Sequence, residues 1–279
     1  MTDRPARKSP RVTKLVVRHT ERVTPHLIRI TSAPAEPGDI IRFAQRPHTD
    51  AYVKVVFGKP GVSYPDPFDM ATARKLPREQ WPTVRTYTLR EVRDTEIVID
   101  FVYHGEVGLA GPWAAAARPG DELYVLGPGG TYSPDPTADW HLMVGDDSAL
   151  PAIIAALAKV PAGVPVHAFV EVSDAAEEQQ PSTAGELRLT WLHRAAGASL
   201  LDAVRALDWP AGRVHAFVHG EAGVVKQLRR HLLDQRGLSI EQLSISGYWR
   251  RGFDDESYRE AKAAERAVEE TGATLTGVK

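Results

Sequence analysis

The sequence predicts an antiparallel β-barrel followed by a doubly wound α/β unit, with a helix closing the chain. Three observations carry this reading. Up to about residue 138, apolar residues alternate with a period near two in short segments divided by Gly and Pro. From there to about residue 252, strand-like and helix-like patterns alternate, and residues 253–279 are rich in helix formers. A chain of 279 residues also exceeds the usual size of one domain, so two cores are expected.

In the first unit, residues 1–138, the predicted strands are Val12–Arg18, Leu27–Ser32, Tyr52–Phe57, Thr83–Glu91, Ile97–Tyr103 and Glu122–Leu126. Val53, Val55 and Phe57 alternate with Lys54 and Val56, and Ile97, Ile99 and Phe101 with Val98, Asp100 and Val102. Short strands with irregular connectors predict a closed or nearly closed antiparallel barrel. Residues 58–82 hold five prolines and are expected to form a surface excursion.

In the second unit, residues 139–252, His141–Val144 leads through Gly-Asp-Asp-Ser-Ala-Leu-Pro into a predicted helix over Ala149–Lys159. Further strands are predicted at Val166–Val172, Leu187–Leu192, Val214–His219 and Leu243–Ser246. A helix over Glu221–Gln235 puts Val225, Leu228 and Leu232 on one face, and Gly237 is placed to stop it. Such alternation implies a mostly parallel sheet with helices on its faces. Residues 254–270 begin with acids suited to capping and predict a terminal helix.

Composition narrows the chemistry. Hydrophobic residues make up 43% and charged residues 25%, as in soluble globular proteins. The net charge of −2 provides no field to recruit nucleic acid or an anionic membrane. The charged start of the chain lacks an apolar signal core, and no run of about 18 apolar residues occurs, so a cytoplasmic protein without integral membrane association is expected. With no cysteine there is no disulfide, thiolate metal site, cysteine nucleophile or cysteine-held iron–sulfur cluster. Redox chemistry here would need an organic cofactor. The ten histidines show no metal-ligand spacing, and Ser148 lacks a Gly-x-Ser-x-Gly elbow.

Three local patterns point to chemistry. Arg85-Thr86-Tyr87-Thr88 offers an arginine for phosphate, a tyrosine face for a planar ring and threonines for a ring nitrogen, although the same residues make an ordinary strand. The run from His104 through Gly105, Gly108, Leu109, Ala110 and Trp113 to Ala114 sets glycines before a helix. That is a physical site for pyrophosphate, or simply a turning loop; Gly127-Pro128-Gly129-Gly130 is a weaker signal of the same kind. Gly145-Asp146-Asp147-Ser148-Ala149 sits at a strand-to-helix junction, where open α/β sheets bind ligands, and Asp147 or Ser148 could equally be a helix cap. After the next strand, Glu171, Asp174, Glu177 and Glu178 suit a free ribose better than a 2′-phosphate, and a solvated loop explains them as well.

In order, these pieces resemble the siderophore-interacting protein family of the ferredoxin–NADP reductase superfamily. The similar motifs are Arg85-Thr86-Tyr87-Thr88, Asp100-Phe101-Val102-Tyr103-His104-Gly105, Gly108 through Ala114, Gly145 through Pro151, His219-Gly220-Glu221 and Tyr248-Trp249-Arg250-Arg251-Gly252. The resemblance spans about residues 12–270. It implies an N-terminal FAD-binding barrel, a nicotinamide-binding α/β domain, and electron flow from NADH or NADPH through FAD to Fe(III) held in a siderophore. Arg85 would hold the FAD diphosphate, Tyr87 would stack on the ring and Thr88 would approach its N5 edge. His104 and Gly105 would line the ring's polar end or the adjoining chain, and Asp100 and Val102 would be further cofactor-binding residues. Gly108, Leu109, Ala110, Trp113 and Ala114 would surround the diphosphate, and Asp147, Ser148 and Ala149 would serve the nicotinamide cofactor. Lys54, Arg250 and Arg251 would attract an anionic ferric chelate. Where similar proteins often carry an arginine in the Gly-Pro-Arg-Gly loop, this chain has Gly129. No side chain is expected to act as acid, base or nucleophile. Two alternatives stay open: a general NAD(P)H:flavin or quinone reductase on this scaffold, and a non-catalytic ferric-chelate binding module.

Overall fold

The structure, a computed structural model, describes residues 11–45, 48–253, 256–258 and 260–264. Strands β1 (Val12–Thr24), β2 (Leu27–Pro34), β3 (Tyr52–Phe57), β4 (Thr83–Val92), β5 (Ile97–Val102) and β6 (Glu122–Gly129) close into a barrel in the order β1-β2-β5-β4-β3-β6. Every neighbouring pair is antiparallel, and β6 shuts the barrel by pairing with both β1 and β3. The alternating residues predicted to face inward do so: Val53, Val55, Ile97, Ile99 and Phe101 join Leu15, Val17, Ile30 and Val125 in one core. Phe43 of helix α1 (Ile40–Ala44) is buried in the same core.

β1 runs six residues past its predicted end. That stretch, His-Thr-Glu-Arg-Val-Thr, is mostly polar and largely exposed up to Arg22, and β1 crosses two register shifts against β2, so backbone pairing extends it without an apolar pattern. The proline-rich excursion is also less superficial than expected. Its short helix α2 (Met70–Ala73), capped by the Asp69 carboxylate, packs Met70 with Val56 and Leu126 on the outside of the barrel. Phe68, Val84 and Tyr124 complete this patch.

The second unit is a parallel sheet of β7 (Trp140–Asp146), β8 (Pro165–Val172), β9 (Glu186–His193), β10 (Val214–Glu221) and β11 (Leu243–Trp249), in the order β11-β10-β7-β8-β9. Met143 of β7 packs on one face with Ile153 and Leu157, while Leu142 and Val144 pack on the other with Leu200 and Leu228. Both faces are covered, as parallel sheets require. Helix α3 (Ala110–Ala116) joins β5 to β6 and packs on the barrel core; beyond β7 come α4 (Leu150–Leu157), α5 (Leu200–Arg205) and α6 (Ala222–Arg230). Val225, Leu228 and Leu232 are buried as predicted. The helix they share changes after Arg230 into a π turn over His231–Gln235 and stops before Gly237, whose φ is 73°. Neither Asp147 nor Ser148 caps α4: its N-cap is Ala149, without a side-chain bond, because both polar side chains are engaged elsewhere. Described residues from 256 to 264 are helical, and the rest of the predicted terminal helix lies outside the described residues. Among the described residues, no helix is long and apolar enough to cross a membrane.

Candidate functional site at the barrel edge and the sheet's carboxyl end

Register decides where each residue of the β4 motif points. Arg85 and Tyr87 stand opposite Val55 and Val53, on the inward side, whereas Thr86 and Thr88 stand opposite Lys54 and Tyr52, on the outward side. Tyr87 lies 4.3 Å from Phe101, centroid to centroid, and Trp113 lies 5.6 Å from the same ring. Two rings from motifs far apart in sequence thus meet around one phenylalanine, both half-buried. Thr88 is buried, and Lys54 is exposed.

The loop after β5 has a shape suited to a long polar ligand. Gly105 and Gly108 have φ of 67° and 89°, with open space where a side chain would stand, and His104 is exposed. Val107 and Leu109 hold apolar side chains 78% and 39% exposed beside them. Ala110 and Ala114 instead face the barrel core, and a Cβ on Gly111 would come within 3.0 Å of the Val102 carbonyl oxygen. These small residues seat α3 on β5, so their side chains do not reach outward. Asp100 is likewise committed: its buried carboxylate accepts from Arg29 at 2.7 and 2.9 Å and lies 3.4 Å from Arg90. Paired glycines, exposed apolar side chains and half-buried rings along one edge fit a flavin dinucleotide, which needs backbone donors for its diphosphate and flat faces for its ring.

A cavity of about 360 Å³ opens beside the outward side of β3. Tyr52, Lys54, Arg74, Trp81, Gly129 and Glu256 line it. Sequence reasoning found Lys54 and missed Arg74, Trp81 and Glu256, which come from the proline-rich excursion and the terminal helix, where no periodicity marks a site. Arg250 and Arg251 are not among the lining residues. The Arg250 guanidinium lies 4.8 Å from the Phe253 ring centroid, and the Arg251 amide donates to Glu221 at 3.2 Å.

At the carboxyl end of the parallel sheet, Asp146 is a buried hub. One carboxylate oxygen accepts from the Ser148 amide (3.0 Å) and hydroxyl (2.5 Å), the other from the Glu221 amide and the Trp249 indole N–H, both at 2.8 Å. Burial pushes its pKa up to about 6 against the pull of these donors. Asp147 pairs with Arg194 at 2.5 Å, and the same guanidinium reaches Glu171 at 3.0 Å. Arg194 escaped sequence analysis because its partners lie 47 and 23 residues away. His219, stacked on Phe217 at 3.9 Å, is held neutral by burial, which lowers its pKa to about 3.

The acidic run after β8 is redirected. Glu177 is buried: its carboxylate accepts from the Thr24 hydroxyl, from the His26 amide at 3.2 and 3.3 Å, and lies 2.7 Å from His26 Nδ1. It ties the loop after β8 to the turn between β1 and β2. Glu178 is paired with His193 at 2.8 Å. Neither carboxylate is a free ribose contact; of the other two acids, Asp174 accepts from the Ala176 amide at 2.8 Å and Glu171 is joined to Arg194.

A closed six-strand antiparallel barrel followed by a helix-covered parallel sheet defines the ferredoxin reductase-like FAD/NAD-binding fold. The FAD/NAD-binding domain of a nitric oxide dioxygenase from Vibrio cholerae superposes with a TM-score of 0.61 at 15% identity, over 86% of this chain and 100% of that one. Within that class the chain belongs to the siderophore-interacting protein family: residues 138–252 match the siderophore-interacting protein model and residues 16–132 the siderophore-interacting FAD-binding domain. A siderophore utilization protein from T. fusca superposes with a TM-score of 0.74 at 35% identity, covering 88% of this chain and 95% of that one. The siderophore-interacting protein SipS of Aeromonas hydrophila gives 0.75 at 30%, over 92% and 99%. The ferric vibriobactin reductase ViuB of Vibrio cholerae is 38% identical over 194 residues, 66% of this chain and 70% of that one.

Proposed function

We propose that this chain is a cytoplasmic ferric-siderophore reductase that takes electrons from NADH or NADPH, through FAD, to Fe(III) in a siderophore seated in the cavity beside Lys54. One observation carries the reading: Thr88 of the flavin-type motif is the register partner of Tyr52, which lines that cavity, so the proposed flavin edge and acceptor share two adjacent strands. The names of two relatives, ViuB and a ferric acinetobactin reductase of Acinetobacter baumannii, 27% identical over 194 residues, support the activity.

Bound FAD supplies the step between two-electron nicotinamide chemistry and one-electron iron chemistry. The chain's residues supply placement. Arg85 would provide a cation for the diphosphate, backbone amides around Gly105 and Gly108 would donate to it, and Leu109 would cover it. Tyr87 and Trp113 would offer ring faces, and the Thr88 hydroxyl, on the other side of β4, would serve the ring edge nearest the cavity. Val102 and His104 border the adjoining chain, while Ala110 and Ala114 keep α3 close by packing inward; Asp100 contributes by fixing Arg29 and Arg90. The loop at Asp147, Ser148 and Ala149 receives the nicotinamide cofactor. Because Arg194 is already matched by Asp147 and Glu171, a 2′-phosphate would meet net negative charge, which favours NADH. Lys54 and Arg74 attract the chelate at close range, with Arg250 and Arg251 adding a longer-range field. Reduction loosens the chelate, since hard oxygen ligands hold Fe(III) more tightly than Fe(II). On this reading residues 1–138 form the FAD domain, 139–252 the nicotinamide domain and 253–279 a helical extension.

The test is anaerobic turnover with several ferric siderophores and a ferrous-iron trap, supplying NADH and NADPH separately. Trapped Fe(II) that depends on FAD and is formed faster with NADH is the expected outcome. Flavin reduction without Fe(II) from any chelate would point to a quinone or free-flavin reductase instead.

A further inference from the structure

Few charges face the cavity, and they are unequal. Among the described lining residues, Lys54 and Arg74 bring two positive charges and Glu256 one negative, leaving one net positive charge. The strand on the far side adds none. A Cβ built on Gly129 would lie 2.5 Å from the Tyr52 ring and 2.7 Å from its hydroxyl oxygen, so no side chain fits at 129 while Tyr52 keeps its place. Tyr52 and Trp81 are the aromatic side chains among the described lining residues. The Trp81 ring is held by its indole N–H, which donates to the Leu76 carbonyl oxygen at 2.9 Å.

A ligand leaving water for such a cavity is best accommodated when its charge is matched, because every unmatched charge loses hydration without gaining a partner. Ferric chelates differ in charge with their arms. Three hydroxamates leave Fe(III) neutral, two hydroxamates and one catecholate leave a single negative charge, and three catecholates leave a trianion. Resting on the acceptor reading of this cavity, we propose that it selects a ferric chelate of one net negative charge, with two hydroxamate arms and a single catecholate ring laid against Tyr52 and Trp81.

The test is equilibrium dialysis of gallium(III) chelates of these three kinds against the oxidised, FAD-loaded protein at low salt. Gallium(III) shares the charge and coordination of Fe(III) but is not reduced, so affinity is read apart from reduction potential. The mixed chelate is expected to bind about tenfold or more tightly than either the neutral trihydroxamate or the tris-catecholate. Glu256→Lys turns one net positive charge into three and moves the preference towards the trianion; Lys54→Met leaves none and moves it towards the neutral chelate. Flavin content and circular dichroism report folding of each variant, and the ranking by the unsubstituted protein decides if a variant fails. Equal affinity for all three chelates, or a tris-catecholate preference without substitution, overturns the charge-matching argument. If none of the three binds although NADH or NADPH reduces the flavin, the acceptor reading falls as well.

Discussion

Replacing Glu177 by alanine removes the carboxylate that joins the α/β unit to the barrel. The buried Thr24 hydroxyl and the half-buried His26 amide then lose their acceptor. A hydrogen bond to a charged group contributes about 1.5–3 kcal/mol, and the His26 amide bond, shared between two oxygens at 3.2 and 3.3 Å, belongs at the low end. The His26 ring is 45% exposed, so its contact adds little after screening. The expected loss is about 3 kcal/mol, which for a chain of this size lowers Tm by about 6–12 °C. Thermal unfolding of the FAD-loaded protein measures it, and Glu177→Gln, keeping one acceptor, should fall between. Stopped-flow reduction by NADH should slow in the alanine variant, because the link that holds the nicotinamide side against the barrel is gone. A Tm within about 1 °C of the unsubstituted protein would falsify the view that this contact carries the interface.

Arg85→Ala and Tyr87→Ala are each expected to lower FAD retention, one by losing a charged phosphate contact and the other a ring face, with circular dichroism largely unchanged; full flavin occupancy in both would remove them from the site. Lys54→Met should slow reoxidation by an anionic ferric chelate and leave flavin reduction by NADH nearly as fast, and added salt should do the same because exposed charges are screened beyond roughly 8–10 Å. The opposite pattern would assign Lys54 to the donor side. Acid should destabilise the fold between about pH 6.5 and 4. Burial lowers His141 to about 4 and His219 to about 3 from an ordinary 6.5, so the unfolded chain takes those protons first and the stability they contribute above pH 6.5 is lost as pH falls. Asp146, raised from 3.8 to about 6, acts in the other sense: the folded state binds its proton first and regains stability as pH falls from about 6 to 4. Each shift corresponds to about 3 kcal/mol or somewhat more, so two histidines outweigh one aspartate. Urea midpoints at pH 7 and 4.5 should differ clearly, and less so in His141→Gln; equal sensitivity in both proteins would mean that His141 is not held neutral.

The barrel and the parallel sheet were legible because burial imposes a period. Val53, Val55, Ile99 and Phe101 alternate in the sequence and line one core in the structure. Where pairing alone extends a strand, as in β1 beyond Arg18, no apolar pattern marks it. The motif around Arg85 was readable as chemistry, yet only register shows that Tyr87 turns towards Phe101 and Thr88 towards the side of Tyr52 and Lys54. Arg74, Trp81 and Glu256 were invisible because the cavity is assembled from four separate stretches of chain. Glu177 looked like one of a solvated acidic pair, since its partners Thr24 and His26 stand some 150 residues earlier, and nothing local distinguishes a buried acceptor from an exposed one.

The most direct measurement is a single-turnover experiment without oxygen. Protein loaded with FAD is reduced with NADH, freed of excess nicotinamide, and mixed with an anionic ferric siderophore and a ferrous-iron trap while the flavin band is followed. The account predicts that oxidised flavin returns as trapped Fe(II) appears, two iron atoms for each flavin, and that Lys54→Met slows this phase. Flavin that stays reduced in the presence of every ferric chelate tried would contradict it.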